Sequence, residues 1–160
     1  MSNIELKNIK HSGFASQETF CYEASVYFNG KRVGTASNDG HGGADYQYVE
    51  DKQGWDSMQK YIDSLPIEHD EVLDFKYQPD IEGICTDLVN KWLMLKDLKK
   101  LLKKKAVIKI SAGQLMEIGY KGTKKPDCAL FSHAREQYPD GTLLNELPIT
   151  EALTLYKQGA

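Results

Sequence analysis

The chain has 160 residues, a formal net charge of −3 and a hydrophobic fraction of 41%, which is typical of a soluble globular protein. No apolar run approaches the roughly 18 residues of a membrane span, and the N-terminal residues lack the pattern of a signal peptide. Three cysteines without a CxxC pair indicate neither a disulfide framework nor a zinc ribbon. We therefore expect a cytoplasmic protein without a membrane partner, and no cofactor is indicated.

Charge is divided unevenly along the chain. Residues 38–90 hold 13 acidic and 3 basic side chains, whereas residues 91–125 hold 11 basic and 2 acidic side chains. Such asymmetry can mark partner surfaces, but the two blocks can also face each other or lie in solvent.

The first third of the chain predicts a β-hairpin. Residues 4–10 alternate enough for a short strand, and residues 20–28 alternate with period two, which indicates a strand with one buried face. Asn29-Gly30 is a strong turn pair because both central positions of the favoured turn need a positive φ. Residues 31–37 then return as the next strand, and the polar 38–45 loop follows.

Two helices are predicted in the middle of the chain. Residues 54–65 have helical spacing and stop at Pro66. Residues 66–79 are acidic and irregular, with a brief strand at 72–75. A long amphipathic helix spans about 80–105, with Asp80 as its N-cap. Its apolar stripe has helical spacing and consists of Ile81, Ile84, Leu88, Trp92, Leu95, Leu98 and Leu102.

The last third predicts a second hairpin (106–111 and 115–121), a short helix (129–138), a strand (142–147) and a final helix (151–158) capped by Thr150. Hairpins and helices are partly segregated, so we expect an α+β fold with antiparallel hairpins, one long helix and shorter helices. The two expected lobes are 1–78 and 79–160, either with one shared core as a single compact domain or as two small units.

The 38–45 loop is the least ordinary stretch, because three glycines accompany Asn38, Asp39, His41 and Asp45. It can be a recognition element for a macromolecule, or a plain connection with tight turns. Asp39, His41 and Asp45 are also candidate metal ligands, although no second histidine or cysteine lies nearby. Backbone N–H groups could bind an anion, although the motif of a phosphate-binding loop is absent.

Acidic residues continue after this loop. Together with the loop they form a predicted negative surface for a basic partner, whose members are Asn38, Asp39, His41, Asp45, Glu50, Asp51 and Asp56.

A lysine stripe at 96–105 is a candidate nucleic-acid patch, and residues 121–125 could extend it. The alternative is a helix C-terminus that attracts cations, and no aromatic residue interleaves the run, as single-strand binding would favour. The candidate contact residues are Lys99, Lys100, Lys103, Lys104 and Lys105.

Two resemblances accompany these patterns. The hairpin at 22–37 superficially resembles the central strands of a double-stranded-RNA-binding domain. That family meets phosphates with a lysine cluster at the following helix, where this chain has His41, Asp45, Glu50 and Asp51, so RNA binding is not carried over. Residues 10–16 and 37–43, with 143–148 and 151–153, are similar to stretches of small uncharacterised phage and plasmid proteins. This resemblance implies an accessory protein of a mobile element.

The leading hypothesis is a non-enzymatic binding protein of a mobile element, which blocks or modulates a host protein, such as a defence component, through its acidic loop surface. The alternative is a small metal- or nucleotide-dependent enzyme with its site at the 38–45 loop. The third hypothesis is nucleic-acid binding through the 96–105 lysine stripe. The oligomeric state is not predicted.

Overall fold

The computed structural model describes residues 3–70, 74–122 and 124–158. Every strand pair in these ranges is antiparallel, which confirms the predicted α+β class. The strands are β1 (Ile4–His11), β2 (Tyr22–Phe28), β3 (Lys31–Asn38), β4 (Tyr46–Val49), β5 (Glu68–Asp70), β6 (Phe75–Tyr77), β7 (Ala106–Lys109), β8 (Leu115–Ile118) and β9 (Thr142–Leu143). The helices are α1 (Lys52–Asp63), α2 (Ile81–Leu102), α3 (Cys128–Gln137) and α4 (Ile149–Lys157).

The chain divides into two compact units, Met1–Lys91 and Trp92–Ala160. The boundary lies inside α2, whereas the lobes expected from the sequence divide just before this helix. No helix in the described ranges is long and apolar enough to cross a membrane.

The first unit contains a four-stranded sheet in the order β1-β2-β3-β4. Asn29 and Gly30 form the predicted turn between β2 and β3, with φ values of 49° and 80°. Tyr22, Ala24 and Val26 alternate along β2 with buried side chains, because neighbouring side chains of a strand point to opposite faces. Helix α1 contacts β2 and β3 and contributes the fully buried side chains of Met58 and Ile62.

The sequence patterns do not predict β4, which pairs with β3 in a register that places Tyr46 opposite Ser37 and Val49 opposite Gly34. It is an edge strand of the sheet. The following helix begins earlier than predicted because Asp51 caps it, with its side chain accepting a hydrogen bond from the Gly54 amide at 3.1 Å.

The region before α2 is a short hairpin of β5 and β6. Part of the strand predicted at 72–75 lies outside the described residues, and the observed strand begins at Phe75. Asp80 caps α2 as predicted, accepting a hydrogen bond from the Gly83 amide at 2.7 Å. The helix ends at Leu102 rather than near 105 because residues 103–105 turn into β7.

The second unit contains a three-stranded sheet in the order β8-β7-β9. One core cluster joins Leu98 of α2 to Val107 and Leu153; another includes Ile108 and Leu130.

The strand predicted at 142–147 is wrong beyond Leu143, because a 3-10 helix follows (Leu144–Glu146). Asn145 lies in this helix, accepts a hydrogen bond from the Val107 amide at 2.8 Å, and donates to the carbonyls of Leu102 and Lys105. The final helix begins at Ile149, so the predicted cap at Thr150 is also wrong.

Asp127 caps α3 by accepting a hydrogen bond from the Leu130 amide at 3.0 Å. The Tyr120 hydroxyl also donates to this carboxylate, at 2.6 Å, and Lys124 forms an ion pair with it at 3.1 Å. These contacts lower the pKa of Asp127 to about 2, with the Tyr120 hydrogen bond as the largest cause.

Candidate functional site

The 38–45 loop is held from within by Asn38, whose side chain is only 6% exposed. Its carbonyl oxygen accepts hydrogen bonds from the Thr19 hydroxyl at 2.7 Å and the Gly40 amide at 2.8 Å. Its amide nitrogen donates to the Gly43 carbonyl at 2.8 Å and to the Asp45 carboxylate at 3.0 Å. Asn38 therefore fixes the loop, a role that differs from the predicted contact with a partner.

Asp45 is likewise engaged inside the chain. The hydroxyl of Tyr22, a residue that is 4% exposed, donates a hydrogen bond to its second carboxylate oxygen. Burial, together with nearby Cys85 and Asp45, raises the pKa of Tyr22. Burial also raises the pKa of Cys85 to about 12, with the charge of Asp45 as a further cause. Both groups therefore stay protonated, and Asp45 anchors the loop to the core of the first unit.

Gly40 locks the loop against residues 12–19. Its φ is +88°, and a Cβ at this position would lie 2.1 Å from the Ala15 carbonyl oxygen. Its own carbonyl accepts hydrogen bonds from the amides of Gln17 and Glu18 at 2.9 and 3.0 Å. The glycine is required here because a side chain would collide with backbone that cannot rotate away.

Asp39 and His41 remain on the exposed side of the loop. Asp39 accepts a hydrogen bond from the His41 amide at 3.2 Å, and the His41 ring lies 3.3 Å from the Gln17 side-chain oxygen. The part of the chain that the structure describes contains no group of three side chains able to hold a metal ion. The structure therefore does not bring Asp39, His41 and Asp45 together as a set of metal ligands.

Three amides of the loop also donate hydrogen bonds within the chain. Gly40 N–H donates to Asn38, His41 N–H donates to Asp39, and Gly42 N–H donates to the Thr19 hydroxyl at 3.4 Å. An anion would have to displace these contacts, so the geometry does not support the anion-binding interpretation of this loop.

The acidic residues that follow the loop are largely neutralised within the chain, which weakens the predicted negative surface. The ion pairs join Glu50 to Arg32 at 2.7 Å, Asp51 to Lys31 at 2.6 Å, and Asp56 to Lys52 at 3.3 Å. Asp51 is in addition the cap of α1. Because each of these carboxylates has a cation of the same chain beside it, the net charge offered to a basic partner is reduced.

An exposed apolar surface beside the loop lies on β4. Tyr46 and Tyr48 are each 68% exposed, and their spacing places both rings on one face of the strand. They lie opposite Ser37 and Thr35, and so on the face of the sheet away from Tyr22, Ala24 and Val26. In the sequence, two tyrosines alternate with Gln47 and Val49, as in a strand with one polar face. A segment of four residues is too short to predict a strand from this alternation.

A second negative region of the first unit lies at the β5–β6 hairpin and the start of α2. The Tyr77 hydroxyl donates to Glu68 at 2.8 Å, which raises the pKa of Tyr77, and the Phe75 and Tyr77 ring centroids are 5.6 Å apart. A cavity of about 510 Å³ lies here, and no basic side chain is among the described residues that line it. Its acidic lining residues are Glu68, Asp70, Asp80, Glu82 and Asp87. The sequence shows the acidic charge of this region but does not predict the cavity.

Comparison of the chain with protein-family models, with curated proteins and with solved structures gives no match. Function is therefore inferred from the geometry of these surfaces.

The lysine stripe forms one side of a groove in the second unit, with a volume of about 490 Å³. Lys105 pairs with Glu117 at 2.5 Å and does not line this groove, so the structure does not group it with the other lysines of the predicted patch. Residues 121–125 were predicted to extend the lysine patch. Within them, Lys124 forms an ion pair with Asp127 and does not present a free cation. The groove residues are Trp92, Leu95, Lys96, Lys99, Lys100, Lys103 and Lys104.

Proposed function

We propose that this chain is a non-enzymatic binding protein that holds a partner protein at the β4 edge of its N-terminal sheet. The observation that supports this proposal is an edge strand with two tyrosines that are each 68% exposed. An edge strand offers unpaired backbone groups to another chain, and natural proteins usually protect it by keeping it short or with lysine, proline or a bulge. The residues of β4, Tyr46–Val49, include neither lysine nor proline.

The recognition mode is addition of an extended partner segment to β4. Main-chain hydrogen bonds supply affinity in this mode, and alternate side chains supply specificity. Tyr46 and Tyr48 are suited to provide specificity because a tyrosine contributes a large, rigid contact area at low cost in conformational entropy. The polar groups of Asn38 and Asp45 hold the neighbouring loop in place, which favours a scaffold for binding over a reactive centre.

The partner segment is expected to carry basic side chains. Asp39 directly follows β3 and is exposed, and its carboxylate forms no ion pair among the described residues. Glu18 contacts the same loop near Gly42, and tyrosine faces also attract cations. Complementary charge raises the association rate and selects partners.

The resemblance to phage and plasmid accessory proteins supports a host protein in the cytoplasm as this partner, with a defence component as the leading class. Binding would block or modulate that protein. A basic partner that normally contacts nucleic acid would fit, because the acidic side chains near β4 could compete for the same cationic surface.

The test is affinity capture from host lysate, followed by a binding measurement with the purified partner. Tyr46→Ser with Tyr48→Ser should weaken binding by about 2 kcal/mol, or roughly 30-fold in Kd, as expected for loss of aromatic contacts at an interface centre. Phe75→Ser with Tyr77→Ser is a matched control, because it removes two exposed rings from another short strand. Equal loss in both variants, or no loss in either, would contradict the proposal.

A further inference from the structure

The lysine groove of the second unit differs from an ordinary solvated helix face. The structure describes five lysines around it, and none forms an ion pair within this part of the chain: Lys96, Lys99, Lys100, Lys103 and Lys104. Lys96, Lys99 and Lys100 lie three or four residues apart in α2, and neighbours of like charge at this spacing destabilise a helix. A bound polyanion would relieve this repulsion between the lysine side chains, so the surface is suited to binding one.

The dipole of α2 explains only part of this charge. Its favourable effect on cations is confined to the last turn of a helix, which here contains Lys99 and Lys100. Lys96 lies before that turn and still lines the groove. A polyanion that follows the groove accounts for all of these positions.

Trp92 gives the groove an aromatic element that a plain lysine run lacks. The Lys96 ammonium lies 4.9 Å from the centroid of the Trp92 ring, over one face of this half-buried side chain. A base that stacks on this face would take the place of the ammonium. Indole rings stack on unpaired bases, while lysines neutralise the neighbouring phosphates. Trp92 and Lys99 are separated by about 10 Å along the helix, which suits a few nucleotides.

We infer that this groove binds single-stranded nucleic acid, with a base stacked on Trp92 and phosphates held by Lys96, Lys99 and Lys103. Duplex nucleic acid fits less well because its bases are already stacked and cannot cover the indole. An anionic membrane also fits less well, because Leu98, on another face of the same helix, is fully buried in the core and leaves no wide apolar face to insert.

Two carboxylates lie at one edge of the lysine groove. Asp97 and Glu117 line a neighbouring cleft together with Lys100 and Lys104. Phosphate contacts are therefore assigned to Lys96, Lys99 and Lys103, whose side of the groove lacks a lining carboxylate. This surface belongs to Trp92–Ala160, so the inference is independent of the partner proposed for β4.

The test is fluorescence anisotropy of the full chain with a labelled oligothymidine of about 15 nucleotides, a length within the usual site sizes for single strands. Binding should weaken with salt, with a slope of log K against log salt of about −2, since each of three phosphate contacts contributes about −0.7. Lys99→Gln with Lys103→Gln should reduce the size of this slope by about 1.4. The control is Lys60→Gln with Lys76→Gln, which removes the same charge from two exposed positions of the first unit.

Trp92 tests the stacking contact separately. Trp92→Leu should weaken oligothymidine binding at least fivefold without changing the salt slope, and Trp92→Phe should recover part of the affinity. Thermal melting of each variant identifies any that fail to fold. If a Trp92 variant does not fold, the Lys99→Gln with Lys103→Gln variant tests the inference instead. The inference is overturned by absence of binding at about 50 mM salt, by equal effects of the two lysine pairs, or by equal affinity for duplex or for anionic vesicles.

Discussion

Replacement of Gly40 by alanine tests whether the 38–45 loop is a fixed scaffold. The residue has a φ of +88°, and the new Cβ would lie 2.1 Å from the Ala15 carbonyl oxygen and 2.9 Å from the Cys21 side chain. A carbonyl oxygen belongs to the backbone, so the collision is relieved only by moving residues 12–19 away from the loop. That movement would break the hydrogen bonds from Gln17 and Glu18 to the Gly40 carbonyl.

The expected cost follows from these contacts. A left-handed backbone costs a residue with a side chain about 1–2 kcal/mol, and two lost hydrogen bonds cost about 1 kcal/mol each. With the residual collision, Gly40→Ala should lower the free energy of unfolding by about 4 kcal/mol, which corresponds to a fall in Tm of about 12 °C for a chain of this size.

Gly43→Ala is the matched control in the same loop. No atom lies within 4 Å of the position where its Cβ would be, and its φ is not in the left-handed region. Its Tm should stay within a few degrees of the parent, since alanine at a compatible site is neutral or mildly stabilising. Circular dichroism melting measures both variants, and hydrogen exchange at the Gln17 and Glu18 amides locates the change. If both variants melt at the same temperature, the loop is not held as described.

Three further results are expected. Asp39→Ala with His41→Ala should reduce partner capture while Tm stays unchanged, because both side chains are exposed; a large fall in Tm would assign them to the scaffold. Below pH 4 the second unit should lose stability as the pH falls towards about 2, because the folded-state pKa of Asp127 is lowered from 3.8 to about 2; Asp127→Asn should flatten this dependence in acid melts. A thiol reagent should label exposed Cys128 in the folded protein, whereas buried Cys85, with its pKa raised to about 12, should react only after unfolding; prompt labelling of both would contradict this burial.

The parts of the fold that depend on local chemistry are predictable from the sequence. Asn29-Gly30 specifies its turn through backbone conformation alone, and Asp80 caps α2 through a contact three residues away. Asn145 is different, because its partners lie about 40 residues earlier, in Leu102, Lys105 and Val107. No local pattern contains those contacts, so the strand predicted across this position is wrong.

In the candidate surfaces, too, local features are predictable from the sequence and contacts with distant residues are not. The composition of the 38–45 loop identifies an unusual segment, but it does not distinguish displayed side chains from those that hold the loop. Asn38 and Asp45 have the same residue types as a polar contact surface, yet their partners Thr19 and Tyr22 lie in preceding parts of the chain. Trp92 was predicted as part of an apolar stripe, and only the structure shows that it lines the lysine groove.

The loop and β4 are covalently continuous, which makes the order of the loop part of the binding argument. Asp45 precedes Tyr46 directly, and its carboxylate is tied to Tyr22 and Asn38. If this anchor positions the edge strand, a loosened loop should raise the entropic cost of adding a partner segment. Gly40→Ala should then weaken partner binding even at temperatures where the chain remains folded, whereas Gly43→Ala should leave binding unchanged. Equal affinity for both variants would mean that β4 binds without help from the loop, and the loop would be a structural connection only.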